Sequence, residues 1–187
     1  MKGFYPTLLL VLVIPFLRAD PTWTAERRAN QRGEIIPKSL SLYLRRYLPD
    51  LEILPKEDFV AYTAGARPDQ PSPFICSGDF NGDGRKDFAF LLKRKVNQTL
   101  KLLAFHQKKK QTYTHFVVED LWGIKVEEGK KVHLFIECEK PGKKQDIEGG
   151  PVINLKTNSI SLGAYGEAGS GLYYFGNNQY KWILTGD

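Results

Sequence analysis

Apolar side chains between Pro37 and Leu48 fall at 40, 43, 44, 47 and 48, the i, i+3, i+4 spacing that puts one greasy stripe on a helix. Pro37 suits the first turn, Pro49 stops the pattern, and Arg45 and Arg46 near the end complement the helix dipole. A helix of about twelve residues is not stable alone, so this stripe is expected to lie on a sheet. Residues 49–73 carry Pro49, Pro55, Pro68, Pro71 and Pro73 and read as a long connection with a short turn around Leu54–Phe59. From Phe74 onwards the period drops to two. Strands are predicted over 74–77, 87–94, 99–107, 112–119, 131–138, 151–155, 159–163, 171–175 and 179–184. The alternation is clearest from Asp87 to Leu92 and from Val132 to Glu137. Turn chemistry predicts hairpins at Lys108–Gln111, Thr157-Asn158 and Gly176-Asn177-Asn178. A helix followed by many short strands predicts an α+β fold, one N-terminal amphipathic helix and then a mostly antiparallel β-sheet, in a single domain over 35–187.

The N-terminus has a different pattern. Lys2 precedes an apolar run from Leu8 to Leu17, and Ala19 offers a small residue after it. That order predicts a secretory signal peptide over 1–19; the alternative is a retained anchor, although the run is short for a membrane span. Residues 20–34 are polar and aperiodic, and are expected to form a mobile lead-in. The expected location is therefore secreted or periplasmic. Loss of Lys2 and Arg18 with the signal lowers the formal charge of +6 by two. The remaining basic clusters, Lys108–Lys110, Lys130-Lys131 and Lys140 with Lys143-Lys144, lie between apolar stretches, where lysines solvate turns and protect edges. An anionic surface is the functional alternative; nucleic acid is not expected, because no aromatic interleaving accompanies the lysines.

Two cysteines, Cys76 and Cys138, remain after the signal. Export allows a single disulfide, and two buried thiols are the other option. Neither has a second Cys or a His within four residues, so zinc is not expected.

The segment Asp79-Phe-Asn81-Gly-Asp83-Gly84-Arg85-Lys-Asp87 carries the chemistry. Asp79, Asn81, Asp83 and Asp87 occupy positions 1, 3, 5 and 9 of a loop, and Gly84 occupies position 6. Calcium takes six to eight hard oxygen ligands, and alternate residues of a tight turn can face one centre. Arg85 at position 7 would contribute its main-chain carbonyl, leaving the side chain free to point outwards. Three aspartates side by side repel one another unless a cation compensates them. An EF-hand is excluded, because position 12 is Phe90 rather than a bidentate Glu and the loop opens a strand instead of a helix. The run Ser77-Gly-Asp79 through Asp87-Phe-Ala-Phe-Leu91 resembles the calcium loop of the FG-GAP/VCBS repeat class. The resemblance covers about fifteen residues. It implies Ca²⁺ as the cofactor, side-chain ligands from Asp79, Asn81, Asp83 and Asp87, and a carbonyl ligand from Arg85. Propellers repeat such a loop once per blade, whereas this chain has it once, so neither a propeller nor an adhesion function follows. The wider layout also resembles small uncharacterised exported bacterial proteins with one such loop.

Other chemistry-bearing residues have simpler readings. His106, His115 and His133 each fall in a predicted strand, with His106 and His115 on the two arms of one hairpin, but no His-x-His or His-x-x-x-His pair is present. Ser170 lies between glycines without the Gly-x-Ser-x-Gly pattern. Glu127, Glu128, Glu137, Glu139, Asp146 and Glu148 supply carboxylates whose separation the sequence does not fix. Tyr173, Tyr174, Phe175, Tyr180 and Trp182 make the last hairpin aromatic and are expected mainly as core. Asn97-Gln-Thr99 is a glycosylation sequon, relevant to a eukaryotic source. No catalytic residues are assigned. The expected function is a calcium-binding domain with a binding or structural role at the cell envelope, its partner an envelope protein or polysaccharide. The alternative is a small envelope hydrolase acting on peptidoglycan or polysaccharide.

Overall fold

A computed structural model describes residues 36–61, 72–127, 129–147, 149–150, 152–167 and 170–185. The expected signal peptide and lead-in lie outside the described residues. Among these residues the chain is mostly antiparallel β with one helix, and that helix is too short to cross a membrane. The helix, α1 (Lys38–Tyr47), starts after Pro37 and ends where the Leu48 N–H bonds to the Leu44 carbonyl.

Two sheets follow. The first holds β1 (Leu51–Ile53), β2 (Ile75–Gly78), β3 (Asp87–Arg94), β4 (Thr99–Gln107) and β5 (Tyr113–Lys125). β1 and β2 share one edge of β3, pairing with its end and its start respectively; β4 takes the other edge and β5 closes the sheet. The second sheet runs β11–β10–β9–β6, from β6 (Leu134–Glu139), β9 (Ser159–Ala164), β10 (Ser170–Gly176) and β11 (Gln179–Thr185). A separate two-stranded ribbon is formed by β7 (Gly142–Gln145) and β8 (Val152–Leu155).

The first sheet is covered on both faces, which explains β3. Six successive residues of β3, Asp87 to Leu92, are buried, so its large–small alternation does not mark inside and outside. Cross-strand pairing puts Phe88 beside Phe105 and Phe90 beside Leu103 on one face, with Ala89 beside Ala104 on the other. The first face receives α1: Tyr43 packs edge-on against Phe105 and Tyr113 and bonds to His115 through its hydroxyl at 3.0 Å. The opposite face packs on the inner face of the second sheet, where Ile136, Ile160 and Tyr173 join the same core. A Cys76–Cys138 disulfide joins β2 to β6 across that interface.

Several expectations are altered by this arrangement. Thr157-Asn158 does join two strands, but β8 pairs with β7 and β9 with β6, so the turn is a corner between sheets rather than a hairpin. β7 and β1 were not foreseen; β7 is Gly-Lys-Lys-Gln with no apolar residue, and β1 is three residues long. The Gly176–Asn178 turn is a hairpin as expected. Asn177 and Asn178 both have positive φ, 54° and 60°, the two-residue geometry that matches strand twist and that asparagine tolerates. The disulfide settles the open cysteine question.

Candidate metal centre and adjoining cleft

The aspartate-rich segment is the hairpin loop between β2 and β3, closed by the Gly78–Asp87 pair. Gly82 and Gly84 have φ of 79° and 77°, values that a side chain would strain. Asp79 organises the turn: its Oδ1 accepts the N–H groups of Gly82 (2.7 Å) and Asp83 (3.2 Å), and its Oδ2 accepts that of Gly84 (2.9 Å). Asn81 Oδ1 accepts the Asp83 N–H at 3.0 Å. Asp83 accepts the Arg85 N–H at 2.9 Å and pairs with the Arg85 guanidinium at 2.7 Å. Slight burial raises the Asp83 pKa, but the Arg85 and Asn81 hydrogen bonds and the Arg85 charge outweigh it and hold the carboxyl below its usual range.

Asp87 is fully buried at the base of the loop. Its Oδ2 accepts the Phe80 N–H (3.1 Å) and its Oδ1 the Gln107 N–H (2.8 Å), so it ties the loop to β4. Burial pushes this carboxyl up to about 6; the two N–H bonds oppose the rise, and the charges of Asp83 and Asp79 add to it. Buried carboxylate with acidic neighbours is the situation a divalent cation relieves.

The donors expected from the sequence are all oxygen: three carboxylates, one amide and the Arg85 carbonyl, carried on one turn. Such hard donors suit calcium. Each carboxylate oxygen has two lone-pair directions, so acceptance of one N–H by each Asp87 oxygen leaves capacity for a cation. The described residues contain no group of three or more His, Cys, Asp or Glu side chains already gathered around a metal position. A cation held by this loop would compete with the Arg85 guanidinium for Asp83.

Asn158, expected from the sequence only as a turn residue, anchors the loop to the second sheet. Its Oδ1 accepts the Asp79 N–H at 3.0 Å, its own N–H donates to the Asp79 carbonyl at 2.9 Å, and its Nδ2 donates to the Glu139 carbonyl at 3.0 Å. Gly78 permits this approach: a Cβ there would lie 2.8 Å from Asn158 Cβ. These contacts are made from the corner at 157–158.

Glu139 leads to a second feature. The outer face of the second sheet carries a cleft of about 750 Å³, roofed by the β7–β8 ribbon. The ribbon is fixed by Lys144 on Glu139 (2.8 Å), by the Ile147 N–H on the Leu184 carbonyl (3.0 Å), and by a small apolar cluster of Leu155, Leu172 and Ile183. Of the carboxylates noted in the sequence, the cleft gathers Glu137, Glu139 and Asp146, together with Glu167, which was not singled out. Glu127 lies elsewhere, paired with Lys130 on the surface, while Glu128 and Glu148 lie outside the described residues.

The histidines do not assemble. His106 pairs across the ladder with Thr114 and His115 with Phe105, so the two side chains point to opposite faces of the first sheet. His106 is enclosed by Phe116, Phe175 and Tyr180, with its Nε2 2.8 Å from the Tyr180 hydroxyl. Burial lowers its pKa to about 4, against the opposing pull of Asp83 and Asp79. His133 is exposed. Of the last hairpin's aromatics, Tyr173, Phe175 and Tyr180 join the core side as expected, whereas Trp182 is exposed. Ser170 Oγ bonds to Thr185 Oγ1 at 3.0 Å across the β10–β11 pair. Asn97 folds its own turn, its Oδ1 accepting the Thr99 hydroxyl at 2.9 Å. Comparisons of the chain with protein-family models, with curated proteins and with solved structures gave no match.

Proposed function

We propose that this is an exported domain that binds one Ca²⁺ in the Asp79–Asp87 loop and serves a binding or structural role at the cell envelope. The observation that carries the reading is that Asp79, Asn81, Asp83 and Asp87 stand on one turn, where, among the described residues, Arg85 on Asp83 is the one ion pair. The likeness of the loop to FG-GAP/VCBS calcium loops points the same way. The ion's task is stability: the loop links β2, β3 and β4, and Asn158 connects it to the second sheet. An envelope protein or polysaccharide is the partner class that this location suggests.

A cation that binds only the folded chain stabilises it by mass action, by about 2.7 kcal/mol at a hundredfold excess over Kd. For a domain of this size that is a melting shift of roughly 5–10 °C. Calcium should raise the melting temperature by this order and EDTA should reverse it. An unchanged melting temperature sinks the reading, and a full response in Asp83→Ala would mean that the ion binds elsewhere.

The carboxylate-lined cleft favours the second reading, a small envelope hydrolase. Glycoside hydrolysis needs an acid and a base flanking the bond, and Glu139 is engaged by Lys144. Release of reducing ends from peptidoglycan or a polysaccharide, abolished in Glu137→Gln, would establish it; no release by the wild-type protein would remove it.

A further inference from the structure

The disulfide and the Asn158 bridge fasten the same end of the same two strands. β2 carries Cys76 and runs through Ser77 and Gly78 to Asp79, the first residue of the loop. β6 carries Cys138 and ends at Glu139, whose carbonyl accepts a hydrogen bond from Asn158 Nδ2 at 3.0 Å. Asn158 in turn holds Asp79 twice, through its Oδ1 on the Asp79 N–H at 3.0 Å and its own N–H on the Asp79 carbonyl at 2.9 Å. Covalent and hydrogen bonds together close one ring, from Cys76 to Asp79, across Asn158 to Glu139, and back through Cys138.

The ring bears on the loop because Asp79 organises the turn, its carboxylate accepting the N–H groups of Gly82, Asp83 and Gly84. At the other end of β2 the Ile136 N–H bonds to the Pro73 carbonyl at 2.8 Å, a tie that does not involve the cysteines. Breaking the S–S bond therefore keeps β2 and β6 joined at the Pro73 end and leaves the loop end to the hydrogen bonds of Asn158. A ligand set held in place before its ion arrives loses less conformational freedom on binding, so loosening this end weakens binding.

Cys76 is 7% exposed and Cys138 is half-buried, so the bond is approached from Cys138. A dithiol would reduce it in two exchanges. One thiolate of the reductant bonds to the Cys138 sulfur and displaces Cys76 as a thiolate; the second thiolate then displaces Cys138 and closes the reductant's own disulfide. Two electrons pass to the protein, and the two protons of the dithiol end on the two cysteine thiols.

We propose that the Cys76–Cys138 disulfide is a redox control on the calcium loop, the oxidised chain holding Ca²⁺ about tenfold more tightly than the dithiol-reduced chain. The inference rests on the calcium reading and names the regulation of that same site. Asn158 transmits the effect: once the S–S bond opens, the Glu139 end of β6 can move from β2, and the bridge to Asp79 loosens. Coupling of two equilibria is reciprocal, so saturating Ca²⁺ makes the disulfide about tenfold harder to reduce. For a two-electron couple that is a potential lower by about 30 mV.

The test is calorimetric titration of the full chain with Ca²⁺, oxidised and in excess dithiothreitol, with the thiol state checked by alkylation and intact mass. The expected result is a Kd about tenfold higher in the reduced chain at an unchanged far-ultraviolet circular dichroism spectrum. Redox titration of the wild-type chain in dithiothreitol buffers should give the fall of about 30 mV between EDTA and saturating Ca²⁺. In Asn158→Ala the ratio between the two forms should drop below about threefold, because the bridge that reduction loosens is already cut. Equal Kd values in the two forms, or a potential unmoved by Ca²⁺, would overturn the proposal and leave the calcium reading standing. The full tenfold ratio persisting in Asn158→Ala, or loss of the dichroism spectrum on reduction, would also overturn it, since the disulfide would then act on the fold at large. Absence of binding to either form would remove the calcium reading and this inference with it.

Discussion

Asn158→Ala tests whether the aspartate loop and the second sheet form one mechanical unit. The substitution removes two side-chain hydrogen bonds, one from the Asp79 N–H and one to the Glu139 carbonyl, each 3.0 Å long. It leaves the backbone bond from the Asn158 N–H to the Asp79 carbonyl in place. A typical intramolecular hydrogen bond contributes about 1 kcal/mol net, so the pair accounts for about 2 kcal/mol. For a domain of this length that is a fall of roughly 4–8 °C in melting temperature. Asn158→Asp separates the two bonds: it keeps an acceptor for the Asp79 N–H and loses the donor to Glu139, so about half the loss is expected. Urea denaturation, monitored by tryptophan fluorescence and far-ultraviolet circular dichroism, gives both values with the slope m as a check on two-state behaviour. In calcium the loss should grow for Asn158→Ala, because Asp79 is then less well held for ligation. A midpoint within experimental error of wild type for Asn158→Ala, or an Asp variant as unstable as the Ala variant, would refute the reasoning.

Three further outcomes are expected. Replacing both Cys76 and Cys138 by alanine opens a covalent link spanning 62 residues, for which chain-entropy arguments give about 4 kcal/mol; a loss under 1 kcal/mol by urea denaturation would show that the sheets hold together without it. Arg85→Ala retains the main-chain carbonyl but removes the guanidinium from Asp83, so calcium should bind roughly two- to fivefold more tightly by titration calorimetry; weaker binding would give the Arg85 side chain a supporting role. His106 is held neutral by burial, with a pKa of about 4 against an ordinary 6.5, so below pH 6.5 the unfolded chain takes up the proton first. The stability that comes from neutral His106 is complete above pH 6.5 and is lost as pH falls towards 4. Asp87, raised to about 6, acts in the opposite sense over part of this window, so the effect is read as the difference between wild type and His106→Gln in EDTA. That difference should change by on the order of 3 kcal/mol between pH 7 and pH 4, and a pH-independent difference would contradict the burial argument.

Local pattern alone located much of the molecule. The stripe at 40, 43, 44, 47 and 48 places a helix at Lys38–Tyr47, because a period of 3.6 is written in adjacent residues. Strands at 87–94 and 99–107 and the Asn177-Asn178 turn follow equally from neighbours in the chain. The oxygen-bearing spacing of Asp79 to Asp87 is also local, since all its members sit within nine residues of one hairpin loop.

What remained hidden in the sequence depends on partners far along the chain. That six residues of β3 are buried reflects helix on one face and a second sheet on the other, and no window on 87–92 contains that information. The turn at 157–158 has hairpin chemistry, yet β8 pairs with the lysine-rich β7 and Asn158 turns back to Asp79, 79 residues away. The Cys76–Cys138 bond was one of two options until packing brought β2 against β6. The cleft is the extreme case: Glu137, Ser161 and Glu167 become one surface only when β6 and β9 pair in register and the ribbon closes over them. The loop's chemistry is a property of the sequence, whereas the loop's anchor and the cleft beyond it are products of tertiary structure, because strand pairing alone sets which distant side chains share a face.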